Sequence, residues 1–433
     1  MTASLIGFGI LLVLLLARVP IAIAMAAVGT TGFAILRGWQ PSMAMTGTVV
    51  FDTALSYSLS VIPLFIFMGN VLAGSGIAQG LFSAADRVFG RMRGGLAMAT
   101  VLSCGGFSAV CGSSLATAAT MSKVTMPSMR RFGYSDSLAT GAIAAGGTLG
   151  ILIPPSVIIV LYAVLSETFI LTLFTAALIP AIIAVIGYMA AIRIYVALYP
   201  DAGPAGSRST WRERAIAVRE SWATLILAGV VAGGIYSGIF TVTESAAVGA
   251  VLAVAIAVLR GRVSVAEFWR NLHSTAATSA MLYVILIGAN VFSYALTLSR
   301  LPDNIVTWIG ALDVHPLMVI AVLMVIYVIL GALFDTVSAM VLTMPFVFPL
   351  VLNLGFDPIW WGIVMVMVIE IGMITPPIGI NALIIKSMIP GSRLSDIYAG
   401  IVPFLISDFV RLALVILLPA LTLWLPTILD LPR

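Results

Sequence analysis

Charge is scarce in this chain. Only 9% of its 433 residues are Asp, Glu, Lys or Arg, against roughly 25% in soluble domains, and 61% are hydrophobic. A water-soluble globule is excluded; the composition is that of an all-α polytopic membrane protein. Histidine and cysteine are nearly absent, being limited to His273, His315, Cys104 and Cys111. That excludes an imidazole or thiolate metal cluster. The shortage also removes the Ser–His pairs, and no paired aspartates or zinc ligands stand in facing helices as an intramembrane enzyme requires. A non-enzymatic role without an organic cofactor is expected. Cys104 and Cys111 read as two free, packed thiols. The net charge of +4 does not point to nucleic acid, because the basic residues sit between apolar runs as topology markers.

Apolar runs of membrane-spanning length follow one another along the chain, with about eleven spans expected and two further segments too polar or too bent to count. Residues 2–17 lack the basic leader and small-residue cleavage site of a signal sequence and read as the first membrane helix. The one polar stretch of any length is 199–221. It holds Arg208, Arg212, Arg214 and Arg219 against Asp201, Glu213 and Glu220. This reads as an interfacial linker between a first half, 1–198, and a second half, 222–433.

The two halves share landmarks. The segment GTLGILIPP at 147–155 recurs as IEIGMITPP at 369–377, and Asn70, Pro127 and Gly133 recur in order as Asn290, Pro345 and Gly355. The spacing stays close to 220 residues throughout, so the chain is an internal duplication. Each Pro-Pro breaks a long apolar run, at 136–165 and at 358–389. A proline lacks the N–H that helix propagation needs and disfavours the α conformation of the residue before it. Inside a bilayer such breaks survive only where the freed backbone groups face protein or a wet cavity, and matched breaks in two halves mark the binding site of a secondary transporter.

Chemistry follows from the breaks. Carbonyls of Gly150, Ile151, Leu152, Gly372, Met373 and Ile374 lose helical partners, and neutral oxygens of this kind suit sodium. The half-helix after each Pro-Pro points its positive end inward, which suits a carboxylate. A second pair of elements lies upstream. At 94–121 the run Gly112-Ser113-Ser114 is a poor helix interior and reads as the tip of a re-entrant hairpin, with Thr117 nearby. Its counterpart at 331–352 carries Asp335, an intramembrane carboxylate that serves either as a cation ligand or as a hydrogen-bonded cap. Glu370 stands where the first copy has Thr148 and so is not common to both. Asp408 and Arg411, three apart, read as a pair satisfying each other, and Glu244 as a helix-start acid. No embedded arginine stands out as a substrate partner: Arg18, Lys123, Arg300 and Lys386 lie near predicted helix ends. With few titratable groups on the path, sodium is favoured over protons as the coupling ion.

Taken together, residues 65–70, the hairpin 105–117, the break 147–156 and the run TPPIGIN at 375–381 resemble the large membrane subunit of the tripartite ATP-independent periplasmic (TRAP) transporters. The resemblance spans residues 11–425. It implies an elevator-type ion-transporter fold in the bacterial inner membrane, with two inverted repeats, a scaffold and a mobile domain carrying two re-entrant hairpins and two Pro-Pro-broken helices. It implies two sodium sites, one at Ser108, Gly112, Ser113, Gly147 and Gly150, the other at Asp335, Ser338, Gly372 and Thr375. Substrate is implied near Ser114, Pro155, Ser156, Pro377 and Asn381. The implied partners are a small four-helix membrane subunit and a periplasmic substrate-binding protein delivering a carboxylate. The nearest rival is a self-sufficient sodium–dicarboxylate symporter; a channel and an intramembrane enzyme fit the duplicated breaks less well.

Overall fold

The computed structural model describes residues 2–206 and 209–432, with all side chains in those ranges except 2–5, 218 and 220. Arg208 and the side chain of Glu220, both assigned above to the linker, lie outside the described residues. The secondary structure among the described residues is helical throughout.

The first half opens with α1 (Thr2–Leu16), α2 (Ile21–Arg37), α3 (Trp39–Leu55), α4 (Val61–Gly74) and α5 (Ile77–Phe89). Then come α6 (Gly95–Cys111), α7 (Ser114–Arg131), α8 (Asp136–Leu152), α9 (Val157–Ser166) and α10 (Ile170–Leu198). The linker region contains α11 (Trp211–Glu220), where Arg214 stacks over the Trp211 ring at 5.0 Å. The second half has α12 (Trp222–Tyr236), α13 (Val242–Leu259), α14 (Val265–Leu298) and α15 (Leu301–Ala311). It ends with α16 (Pro316–Leu333), α17 (Thr336–Asn353), α18 (Pro358–Ile374), α19 (Ile380–Met388), α20 (Leu394–Leu417) and α21 (Ala420–Ile428).

Helix starts follow local chemistry. Thr241 with Glu244, and Ser264 with Glu267, form capping boxes that open α13 and α14. The Glu244 reading thus holds in the structure. Ser135 caps α8, and Asp357 followed by Pro358 opens α18.

Three expectations need adjusting. Seven helices among the described residues are long and apolar enough to cross a membrane, or nine if each of two bent pairs counts as one span, rather than about eleven. The difference lies in helices such as α2 and α18, which are apolar but only 17 residues long. The second hairpin extends further back than 331, because its first arm is all of α16. The first runs on past 121, because α7 continues through Pro127 to Arg131. The last apolar stretch of the chain forms two helices, α20 and α21, divided at Pro419.

Packing is densest around two groups of helices, which meet where α4 lies on α6 and α14 on α17. Around one centre, α2 lies along α14, and α4 lies against α13 and α14. Around the other, α8 is flanked by α6, α7 and α20, while α18 is flanked by α16 and α17. The breaks and hairpin tips belong to the second group, and its helices α8 and α18 are buried along almost their whole length.

Candidate functional site

Between α6 and α7 the chain turns at Gly112, whose φ of +64° is one that side-chain-bearing residues rarely adopt. Ser113 is extended and caps α7, its Oγ accepting from Ala116 N at 3.4 Å. Ser108 Oγ and Thr117 Oγ1 meet at 3.5 Å just inside the tip. The tip rests on α8: a methyl group on Gly150 would sit 2.9 Å from the Ser113 carbonyl, and one on Gly147 would sit 3.0 Å from the Ala118 Cβ. The five residues assigned to the first sodium site therefore fall in one small region, since Gly112 in turn lies against the Pro155 carbonyl.

The second tip is built on the same plan with different chemistry. Asp335, 222 residues after Ser113, occupies the cap position of α17. Its Oδ2 accepts from Val337 N at 3.1 Å and Ser338 N at 3.2 Å, and its Oδ1 accepts from Ser338 Oγ at 2.5 Å. Of the two roles open to this carboxylate from sequence, the cap is directly visible; it occupies Oδ2 with two donors and leaves accepting capacity on Oδ1. Gly372 of α18 packs against Gly331, with room for no side chain: an added Cβ would lie 2.7 Å from the Gly331 Cα. Thr375 turns its hydroxyl back onto the Ile371 carbonyl at 2.5 Å. The carbonyls of Gly150 and Ile151 face the fourth residue on at Pro154 and Pro155, which have no N–H to offer, and both Pro-Pro bonds are cis.

The substrate residues divide. Asn381, at the start of α19, donates from Nδ2 to Ser114 Oγ at 2.6 Å, which joins the second break to the first tip across 267 residues. The Asn381 Oδ1 is buried with no partner among the described residues. Ser114 lines a cavity of about 270 Å³ that also takes in Ser113, Asp335 and Thr336 from the two tips, Asn70 from α4 and Thr278 from α14. Of the five residues assigned to substrate, Ser114 alone lines it; Asn381 reaches it only through its bond to Ser114, and Pro155, Ser156 and Pro377 do not line it. Ser156 is buried as the cap of α9, and Pro377 is exposed, its carbonyl accepting from Tyr398 OH at 3.1 Å. Asn70, Thr278 and Thr336 were not assigned to the site from sequence. Asn70 carried a signal, as a polar residue in an apolar run with a repeat mate at Asn290; it donates to Thr275 Oγ1 at 3.0 Å.

A buried charge cluster lies behind this region. Arg411 and Asp408 do pair, at 2.9 Å, and Glu370 joins them at 3.7 Å from the same Arg411 Nη2. Arg411 is only 2% exposed, so an embedded arginine does exist; it serves other side chains and does not line the cavity. Sequence reading paired it with Asp408 but did not find it embedded, because position within a helix does not say which face meets protein.

This geometry can be set beside known proteins. A model of the family described as tripartite ATP-independent periplasmic transporter, DctM component, matches residues 8–421. The chain belongs to the DctM family. The C4-dicarboxylate TRAP transporter large permease protein of Pseudomonas aeruginosa is 36% identical to this permease over 378 residues, covering 87% of this chain and 88% of that one. The sialic acid TRAP transporter large permease of Vibrio cholerae is 29% identical, covering 86% of each. In fold, the permease resembles the solved YdaH transporter of Alcanivorax borkumensis with a TM-score of 0.66 at 15% identity, over 90% of this chain and 89% of that one. The chain is thus a transporter large permease, a multi-pass protein of the inner membrane, and its relatives are permeases rather than enzymes. Large permeases of this family work with a small membrane subunit and a periplasmic binding protein.

Proposed function

We propose that this permease imports a carboxylate-bearing small molecule, driven by sodium, with a binding protein supplying substrate from the periplasm. The observation that carries the reading is the small cavity enclosed by both hairpin tips on one side and by α4 and α14 on the other. A substrate held there touches both helix groups at once, as a carrier moving one group past the other requires. The elevator motion, with the two halves as inverted repeats, is this movement of the hairpins and broken helices against α2, α4, α13 and α14.

Donor chemistry supports sodium. The residues around the tips offer serine and threonine hydroxyls, carbonyls without helical partners and the unpartnered Asn381 Oδ1, a set of hard, mostly neutral oxygens. Ser108, Gly112, Ser113, Gly147 and Gly150 would hold one ion, and Asp335, Ser338, Gly372 and Thr375 a second. The amino ends of α9 and α19 supply partial positive charge for a carboxylate. Relatives bear the names of dicarboxylate, sialic acid, isethionate and ectoine transporters, so substrate choice rests largely on the binding protein.

The test is uptake into proteoliposomes holding the permease and its small subunit, with the cognate binding protein outside and with or without a sodium gradient. Uptake that needs both the gradient and the binding protein supports the reading. Uptake with sodium alone points to a self-sufficient symporter, and uptake indifferent to sodium removes the coupling ion.

A further inference from the structure

Positions 148 and 370 stand 222 residues apart, the same offset that separates the two Pro-Pro breaks, and a continuous string of polar side chains runs between them. Thr148 Oγ1 on α8 lies 3.2 Å from Tyr188 OH on α10. Tyr188 OH lies 2.8 Å from both carboxylate oxygens of Asp408 on α20, which accept from it. Arg411, one turn on, lies 2.9 Å from Asp408 and 3.7 Å from Glu370 on α18. All five side chains are buried. Thr148 adjoins Gly147 of the first candidate ion site, and Glu370 lies two residues before Gly372 of the second.

The string is under-satisfied at one end. Neither Glu370 oxygen has a hydrogen-bond partner, and no N–H of Arg411 is aligned on an acceptor, although its Nη2 is within ion-pair distance of both acids. One guanidinium thus serves two carboxyl groups and meets only one of them closely. A half-satisfied buried network is costly as it stands. A small shift of α18 relative to α20 would let Arg411 exchange Asp408 for Glu370. That exchange is a two-arrangement element of the kind that carries coupling between sites.

We propose that Arg411, with Tyr188 and Glu370, is a positioning relay that couples the two ion sites, so that filling one raises the affinity of the other. The proposal rests on the sodium reading above. It assigns no contact between these side chains and the ions or the substrate; they act through the helices that carry Gly147 and Gly372. Asp408 changes partners within the relay, and Tyr188 transmits the change to Thr148. By linkage the effect runs equally in both directions.

The experiment is binding of radioactive sodium to the full-length purified permease with its small subunit, without substrate, in the wild type and in Tyr188→Phe and Thr148→Val. Both substitutions keep shape and cut the string beside Thr148. The wild type should bind sodium with a Hill coefficient above unity. Each variant should still bind the same number of ions, with a Hill coefficient falling to unity. A packing defect would instead lower the number of sites or the thermal midpoint, so the midpoint of each variant is measured alongside. Sigmoidal binding that persists unchanged in folded variants overturns the relay and leaves the sodium reading intact. Absence of sodium binding to the wild type overturns both.

Discussion

Asp335 has one visible role, as a cap, and one proposed role, as a sodium ligand. As a cap it accepts two backbone N–H groups and the Ser338 hydroxyl, and asparagine caps a helix about as well as aspartate. Asp335→Asn should therefore leave the thermal midpoint nearly unchanged. Loss of the charge should raise the sodium concentration for half-maximal uptake by about tenfold, equivalent to about 1.4 kcal/mol. An unchanged sodium requirement would reduce Asp335 to a cap. Arg411 gives the opposite pattern. Arg411→Met leaves two buried carboxyl groups without their cation, and breaking a buried pair from one side costs about 3–5 kcal/mol. A marked drop in the midpoint of thermal unfolding is expected in detergent; a variant as stable as the wild type would show that the cluster is not held by charge.

Among the elements, the contact of a hairpin tip with a broken helix is the critical joint. Gly150 meets backbone atoms of Ser113, which cannot rotate away as a side-chain end can. Gly150→Ala should push the first tip off α8, abolishing uptake in a permease that still inserts and expresses. Gly47→Ala is the matched control, because nothing lies within 4 Å of the added methyl. Uptake at wild-type rates from Gly150→Ala would mean that this joint is not needed for transport. The broken helices themselves were legible residue by residue: the segments 136–165 and 358–389 map onto α8 with α9 and α18 with α19. Proline excludes a hydrogen bond whatever surrounds it. The hairpin arms were less legible, since α7 and α17 pass through Pro127, Pro345 and Pro349 without ending. Close packing holds those helices together where a local rule predicts a stop.

For the whole molecule, the cavity divides its lining between the two helix groups, and this makes the elevator proposal testable. Asn70 of α4 and Cys111 at the first tip both line it. Asn70→Cys therefore places a second thiol across the boundary from a native one. Cross-linking this pair with a short bifunctional thiol reagent should stop uptake. Adding the reagent to the wild type, or to Asn70→Cys after Cys111→Ala, should have no effect. Full uptake by the cross-linked permease would rule out sliding of the two groups.

Composition and local chemistry determined the class of this protein, the positions of the two breaks and the family to which they belong. Those properties depend on what a single segment can do in a bilayer: hydropathy, missing N–H groups and a glycine at positive φ act over a few residues. Tertiary structure alone decided which residues meet. It brought Asn381 to Ser114, turned Pro377 outward while Ser114 faced the cavity, and drew Glu370 into the Asp408–Arg411 pair. Such meetings depend on how helices far apart in sequence are rotated and pressed together, and no local pattern of residues encodes that rotation.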